Sequence, residues 1–267
     1  HVLISCITSC GKCDNCKKGM YSHCLNGGGW ILGHLIDGTQ AEYVRIPYAD
    51  NSLYHIPAGY DEEALVMLSD ILPTGFECGV LNGKVNPGDT VAIVGAGPVG
   101  LAALMTAQFF SPSELIMIDT DQNRLDVSKK FGATKLVNNS DGKAAATIMQ
   151  MTNNVGVDVA IEAVGLPATF DLCQQIVAPG GHLANIGVHG KPVQLDMERL
   201  WSHNITLTTR LVDAVTTPML LKTVESGKLH PEQLITHHFT LDKIIDAYDT
   251  FSNAAKQSAL KVIVATA

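Results

Sequence analysis

The stretch Thr90-Val91-Ala92-Ile93-Val94-Gly95-Ala96-Gly97-Pro98-Val99-Gly100, continued by Leu101-Ala102-Ala103-Leu104, decides the fold. An apolar run passes through three glycines into a second apolar run, the pattern of a buried strand, a tight turn and a packed helix. The glycines spell G-x-G-x-x-G, a weak signal alone. Here a strand precedes it, a helix follows, and Asp119 closes the next apolar run nineteen residues beyond Gly100. Those contexts make it a dinucleotide fingerprint. Gly95 is expected to form the tight turn, Gly97 to admit a pyrophosphate, and Gly100 to let the helix pack on the sheet. Asp119 is expected to accept hydrogen bonds from adenosine ribose hydroxyls and to repel a 2′-phosphate, which favours NAD over NADP. The plainer reading of Asp119 is an exposed strand end or a turn former with Asp121.

Outward from this turn the chain alternates strand and helix. Strands are expected at 90–94, 114–119, 157–163 and 182–187, with helices at 99–110, 122–131 and 168–177 between them. Asp121 suits the start of the second helix and Gly132 its stop. This rhythm implies α/β architecture, a doubly wound parallel sheet covered on both faces. Before it, Val2–Ile7 and Ala41–Ile46 read as strands around Gly27-Gly28-Gly29. Asp61-Glu62-Glu63 reads as a helix start, and Lys261–Val264 as a closing strand.

With 267 residues the chain can form one large or two ordinary domains, and its 46% hydrophobic content excludes general disorder. A net charge of −8 argues against nucleic acid and anionic membrane as partners. Val91–Phe110 is long and apolar enough to span a bilayer. The glycines and proline in its middle, and the lack of basic flanks, favour a soluble strand–turn–helix. His1–Cys6 has neither the basic head nor the apolar run of a secretory leader, so a cytoplasmic setting is expected.

Five of the seven cysteines fall within the first 24 residues. Cys10, Cys13, Cys16 and Cys24 follow C-x2-C-x2-C-x7-C, a spacing that lets four thiolates surround one zinc. A closed sulfur shell leaves no open position, so such a metal is structural. An iron–sulfur run would place a fourth cysteine near Met20, and a redox pair leaves two cysteines unexplained. Cys6 and His23 are the substitutes if one ligand is misassigned; Cys78 and Cys173 read as inert core thiols.

Taken in order, the cysteine lobe, the G-x-G-P-V-G turn, Asp119 and Gly156-Val157-Asp158-Val159-Ala160-Ile161-Glu162-Ala163-Val164-Gly165 resemble the zinc-dependent medium-chain alcohol dehydrogenases. The resemblance covers the whole chain. It implies a Rossmann domain joined to a partial GroES-like, β-rich catalytic domain. The implied divisions are 1–70 for the catalytic domain with its zinc lobe, 71–212 for the NAD-binding domain, and 213–267 for a return to the catalytic domain. It implies hydride transfer between an alcohol, primary or secondary, and NAD, with an aldehyde or ketone as product.

By position, Thr74 resembles a threonine beside the nicotinamide, and Val99 a residue packed on the ring's other face. Arg124 resembles a basic contact near the adenosine ribose. Gly165 is implied as a coenzyme-binding residue, the segment Ile186-Gly187-Val188 resembles the one that hydrogen-bonds the carboxamide, and Lys261 resembles a basic contact near the pyrophosphate. Asp70, read alone, is a helix cap or turn residue; the resemblance makes it a ligand of a catalytic zinc.

In relatives a segment before the cysteine lobe carries a Cys, a His and a Glu, which supply the other catalytic ligands and part of a proton relay. The chain opens at His1, directly before the lobe, so those residues are expected to be lacking and activity to be weak or absent. A homo-oligomer is expected, a dimer or tetramer or an assembly altered by exposed sheet edges. A non-catalytic NAD- and zinc-binding scaffold, or a zinc lobe that docks a partner, are the competing readings; metal content separates them.

Overall fold

The computed structural model of the chain describes residues 1–56 and 58–266. Its contacts divide it into two units, one of His1–Pro73 with Val212–Ala267 and one of Thr74–Leu211.

In the second unit six strands form one parallel sheet. Along the chain they are β3 (Thr90–Val94), β4 (Glu114–Asp119), β5 (Lys135–Asn138), β6 (Val157–Glu162), β7 (Val177–Asn185) and β8 (Thr206–Thr209). In space the order is β5-β4-β3-β6-β7-β8, so the chain reverses direction across the sheet between β3 and β6. That is the doubly wound Rossmann order, whose ligands lie beyond the carboxyl ends of the strands at the reversal. Helices α1 (Pro98–Ala107), α2 (Gln122–Ser128), α3 (Ala144–Met151) and α4 (Pro167–Ile176) make the crossovers.

The sequence dictates this closely around β3. Val91, Ala92, Ile93 and Val94 are all buried, as a central strand covered on both faces requires. In register, Val94 pairs with Ile118 on one side and Glu162 on the other. Residues 100–107 of α1 are buried all round, the condition for a helix apolar on every face. Val91–Phe110 is therefore strand, turn and ten-residue helix, ending in a 3-10 turn. No helix among the described residues is long and apolar enough to cross a membrane. Asp121 caps α2 by accepting from the Asn123 and Arg124 N–H groups, and Gly132, at φ +103°, stops the turn that follows.

In the first unit β1 (Val2–Ile4) and β2 (Leu53–His55) pair antiparallel. Towards the C-terminus β9 (Ile235–Thr240) and β10 (Lys261–Ala265) pair in parallel, linked through the helix Ile244–Ser252. The buried Asp213 joins the two stretches of this unit: its Oδ1 accepts from the Ser22 N–H at 2.9 Å and the Ser22 hydroxyl at 2.6 Å. Asp61 caps the helix Glu62–Val66 by accepting from the Glu63 N–H.

Several expected elements are corrected. The first strand stops at Ile4, because the Ser5 N–H turns to Ser52 O and the Cys6 N–H to Ser69 O. Ala41–Ile46 forms no strand: Tyr43 is 91% exposed, and among the described residues no ladder joins the segment to a neighbour. β7 starts at Val177 rather than 182, absorbing Pro179-Gly180-Gly181 with a register shift against β6. The half-polar edge strands β5 and β8 carry too little apolar alternation to read in sequence.

Candidate functional site

The glycine turn lies at the carboxyl end of β3. Gly95 takes φ +108°, a conformation open to glycine, and a Cβ there would strike Val164 Cγ2 at 2.6 Å. A Cβ on Gly100 would fall on the Gly95 carbonyl oxygen, so the helix meets the turn with no room for a side chain. Gly97 differs. A Cβ built there meets nothing nearer than Arg124 Nη1 at 4.0 Å, so the N-terminus of α1 faces open space beneath a guanidinium. Open room, helix N–H groups and a cation are what a diphosphate needs, and the cradle fits one.

Asp119, at the end of β4, is drawn into the same turn. Its Oδ2 accepts from the Ala96 N–H at 2.7 Å and its Oδ1 from the Asp121 N–H at 2.9 Å. Each oxygen keeps a lone pair for a ribose hydroxyl. Val99 stands half-buried in the first turn of α1.

Across the strand reversal, Gly165 sits after β6 at φ +88°, where a Cβ would fall on the Val188 carbonyl oxygen. Gly187 packs on Gly165 N and Glu162 with no space for a Cβ, while Val188 is 89% exposed. Gly165 and Ile186-Gly187-Val188 are therefore interleaved turns. Glu162, which pattern reasoning left as one letter of a family run, is fully buried and holds them together. The available signal was an acid ending an apolar strand just before a glycine.

In the first unit the four cysteine sulfurs of Cys10, Cys13, Cys16 and Cys24 lie within 4.8 Å of one another, and Cys10 Sγ to Cys16 Sγ is 3.9 Å. Tetrahedral zinc–thiolate geometry sets ligand sulfurs about 3.8 Å apart. N–H groups of Cys13 and Leu25 and the Asn26 amide point at sulfurs from 3.3 to 3.4 Å, as thiolates require. Backbone N–H donation, led by Lys12, pulls the Cys10 thiol down to about 6, while burial pushes Cys16 up to about 12. The donor set fits zinc. Gly28 and Gly29 let the next loop approach: side chains there would strike Thr8 O and Ser22 O. Cys6 and His23 stand outside the quartet. Cys78 and Cys173 are buried; burial and the neighbouring Glu162 charge push the Cys173 thiol well above its ordinary range.

Asp70 is exposed on the wall of a cavity of about 1050 Å³, lined also by Ser5, Cys6, Arg45, Ser69 and Tyr248. Thr74 ends the one-turn helix, Ile71–Thr74, that Asp70 precedes. Asp70 joins no group of converging metal ligands; among the described residues the cysteine quartet is the one such group. Lys261 opens β10, where burial pushes its ammonium below the usual lysine range and the Asp70 carboxylate opposes that shift.

The family described as the alcohol dehydrogenase GroES-like domain matches residues 1–58, and that described as zinc-binding dehydrogenase matches residues 98–225. An alcohol dehydrogenase of Cupriavidus necator is 35% identical over 88% of the chain and 65% of its own length. The chain thus spans just under two thirds of that relative. An NADP-dependent isopropanol dehydrogenase of Thermoanaerobacter brockii is 31% identical over 99% of the chain and 77% of its own length. Among solved structures, the apo form of zinc dependent alcohol dehydrogenase 2 from Streptococcus pneumonia is 59% identical. It superposes with a TM-score of 0.95 over 99% of this chain and 75% of that one.

Proposed function

The chain belongs to the zinc-dependent medium-chain alcohol dehydrogenases, and on that premise we propose that it binds NAD for hydride exchange between a primary or secondary alcohol and its carbonyl product. One observation carries the coenzyme assignment. The Asp119 carboxylate is bonded to the Ala96 N–H inside a glycine turn whose Gly97 face is open. When bound, the nicotinamide supplies the hydride acceptor. The chain's residues bind and orient: the N-terminus of α1 and Arg124 take the diphosphate, and Asp119 takes the ribose diol. Gly165 and Ile186–Val188 offer backbone to the carboxamide. Thr74 and Val99 are the side chains proposed beside the ring.

The T. brockii relative is named for NADP and isopropanol. A secondary alcohol is therefore the first substrate to try, and the preference for NAD rests on the negative charge of Asp119. The cysteine quartet is proposed to hold one structural zinc. Asp70 is proposed as a ligand of a catalytic metal, a site that needs three protein ligands; among the described residues the cysteine quartet is the one group of converging ligands. The non-catalytic scaffold gains no separate support. Among the described residues no cysteine pair forms a disulfide, which suits the reducing, cytoplasmic setting proposed here.

The test combines metal analysis with NADH fluorescence on the purified chain. One zinc per chain and a bound-NADH emission signal are expected. Zinc-free protein that nonetheless folds, or NADH emission unchanged by protein, contradicts the reading.

A further inference from the structure

Glu162 ends β6, on the far side of the strand reversal from Asp119, and its side chain is 0% exposed. A carboxylate removed from water is costly unless donors surround it, and here they do. Oε1 accepts from the Val164 N–H at 3.0 Å, the Gly165 N–H at 2.9 Å and the Thr169 hydroxyl at 2.6 Å. The backbone carbonyl of the same residue accepts from the Ile186 N–H at 2.8 Å and the Gly187 N–H at 3.2 Å. One residue thus ties the turn after β6 to the turn after β7.

His189 braces the arrangement. Its Nε2 lies 2.8 Å from Asn185 Oδ1 and 3.5 Å from Glu162 Oε2, with the side chain only 16% exposed. Asn185 Nδ2 donates to Gly187 O, so Asn185 Oδ1 faces the imidazole and Nε2 carries the hydrogen. The Phe170 ring abuts the imidazole edge-on at 5.8 Å, which fixes its plane.

A dinucleotide lying across the carboxyl ends of the strands, with one nucleoside on Asp119, places its other half over the ends of β6 and β7. We propose that Glu162, braced by His189, is the positioning residue that presets the Val164–Gly165 and Ile186–Gly187 turns for the nicotinamide half of the coenzyme. The proposal rests on the coenzyme reading above. It deepens that reading by assigning the fixed shape of the nicotinamide-side backbone to one buried side chain that itself touches no coenzyme atom.

The experiment compares 5′-AMP, which probes the Asp119 side alone, with NADH, which probes both sides. Calorimetry and NADH fluorescence are run on the wild-type chain and on Glu162→Gln, His189→Gln and His189→Leu. Glutamine keeps the volume of Glu162 but turns an NH2 group towards the Gly165 N–H or His189. Glu162→Gln is expected to bind AMP as the wild type does, to lose about tenfold in NADH affinity, and to shift bound-NADH emission towards that of free NADH. His189→Gln, which keeps a donor, is expected to retain NADH binding better than His189→Leu. Should Glu162→Gln fail to fold, Thr169→Val removes one donor from the same carboxylate and is expected to separate AMP from NADH in the same direction. NADH binding unchanged in these variants, or AMP and NADH weakened alike, overturns the proposal while leaving the coenzyme site standing. A wild-type chain that binds neither probe overturns the coenzyme reading and this proposal with it.

Discussion

At the scale of single residues, Asp119 does two things at once. Its carboxylate accepts from the Ala96 and Asp121 N–H groups, and each oxygen has lone-pair capacity left for a further donor. Asp119→Asn preserves the shape but sets an NH2 group against one of those N–H donors and removes the charge proposed to repel a 2′-phosphate. NAD is predicted to bind about tenfold more weakly, and the NAD-to-NADP affinity ratio to fall, both read by calorimetry. The cysteine quartet makes a second prediction at this scale. Cys16 is buried within the sulfur cluster, so Cys16→Ser is expected to take zinc content from one per chain towards zero, measured by elemental analysis. Unchanged zinc content would place the metal elsewhere.

At the scale of elements, the glycine turn separates folding from binding within six residues. Gly100→Ala drives a methyl into the Gly95 carbonyl, and Gly95→Ala forces φ +108° on a residue with a Cβ. Each is predicted to destabilise the chain by about 1–3 kcal/mol in chemical denaturation. Gly97→Ala meets only open space, so its stability is predicted to match the wild type while coenzyme affinity drops sharply. Equal effects of the three substitutions would deny the turn its proposed division of labour. This part of the fold was legible because burial and glycine geometry act locally: β3, β4 and the cap of α2 fall where pattern and turn chemistry put them. Legibility failed where an element depends on what lies beside it. The alternating segment at 41–46 has the composition of a strand but no ladder partner among the described residues, and the Pro179-Gly180-Gly181 break is carried inside β7 by pairing with β6. The role of Glu162 is hidden in the sequence for a related reason. Nothing in its immediate neighbours reports that Ile186, Gly187 and His189 return to it from the next turn.

At the scale of the whole chain, two units carry the two proposed ligand sites, the thiolate quartet in one and the glycine turn in the other. A ligand stabilises the body that binds it. Calorimetric melting is therefore predicted to resolve two responses: chelation of zinc lowers the transition of the first unit, and NADH raises that of the second. A single transition moved equally by both would show the units to melt as one. Leu25, Trp30, Leu35 and Tyr43 are exposed in the first unit, and exposed apolar side chains that adjoin one another mark association surfaces. Light scattering is expected to find an assembly larger than a monomer, in keeping with the homo-oligomer that the sequence leads one to expect. The most direct test of the account is titration of the purified chain with NAD and with NADP at fixed salt. Saturable binding of NAD, with NADP weaker by tenfold or more, is the predicted result. No heat on adding NAD, or tighter binding of the phosphorylated coenzyme, would contradict it.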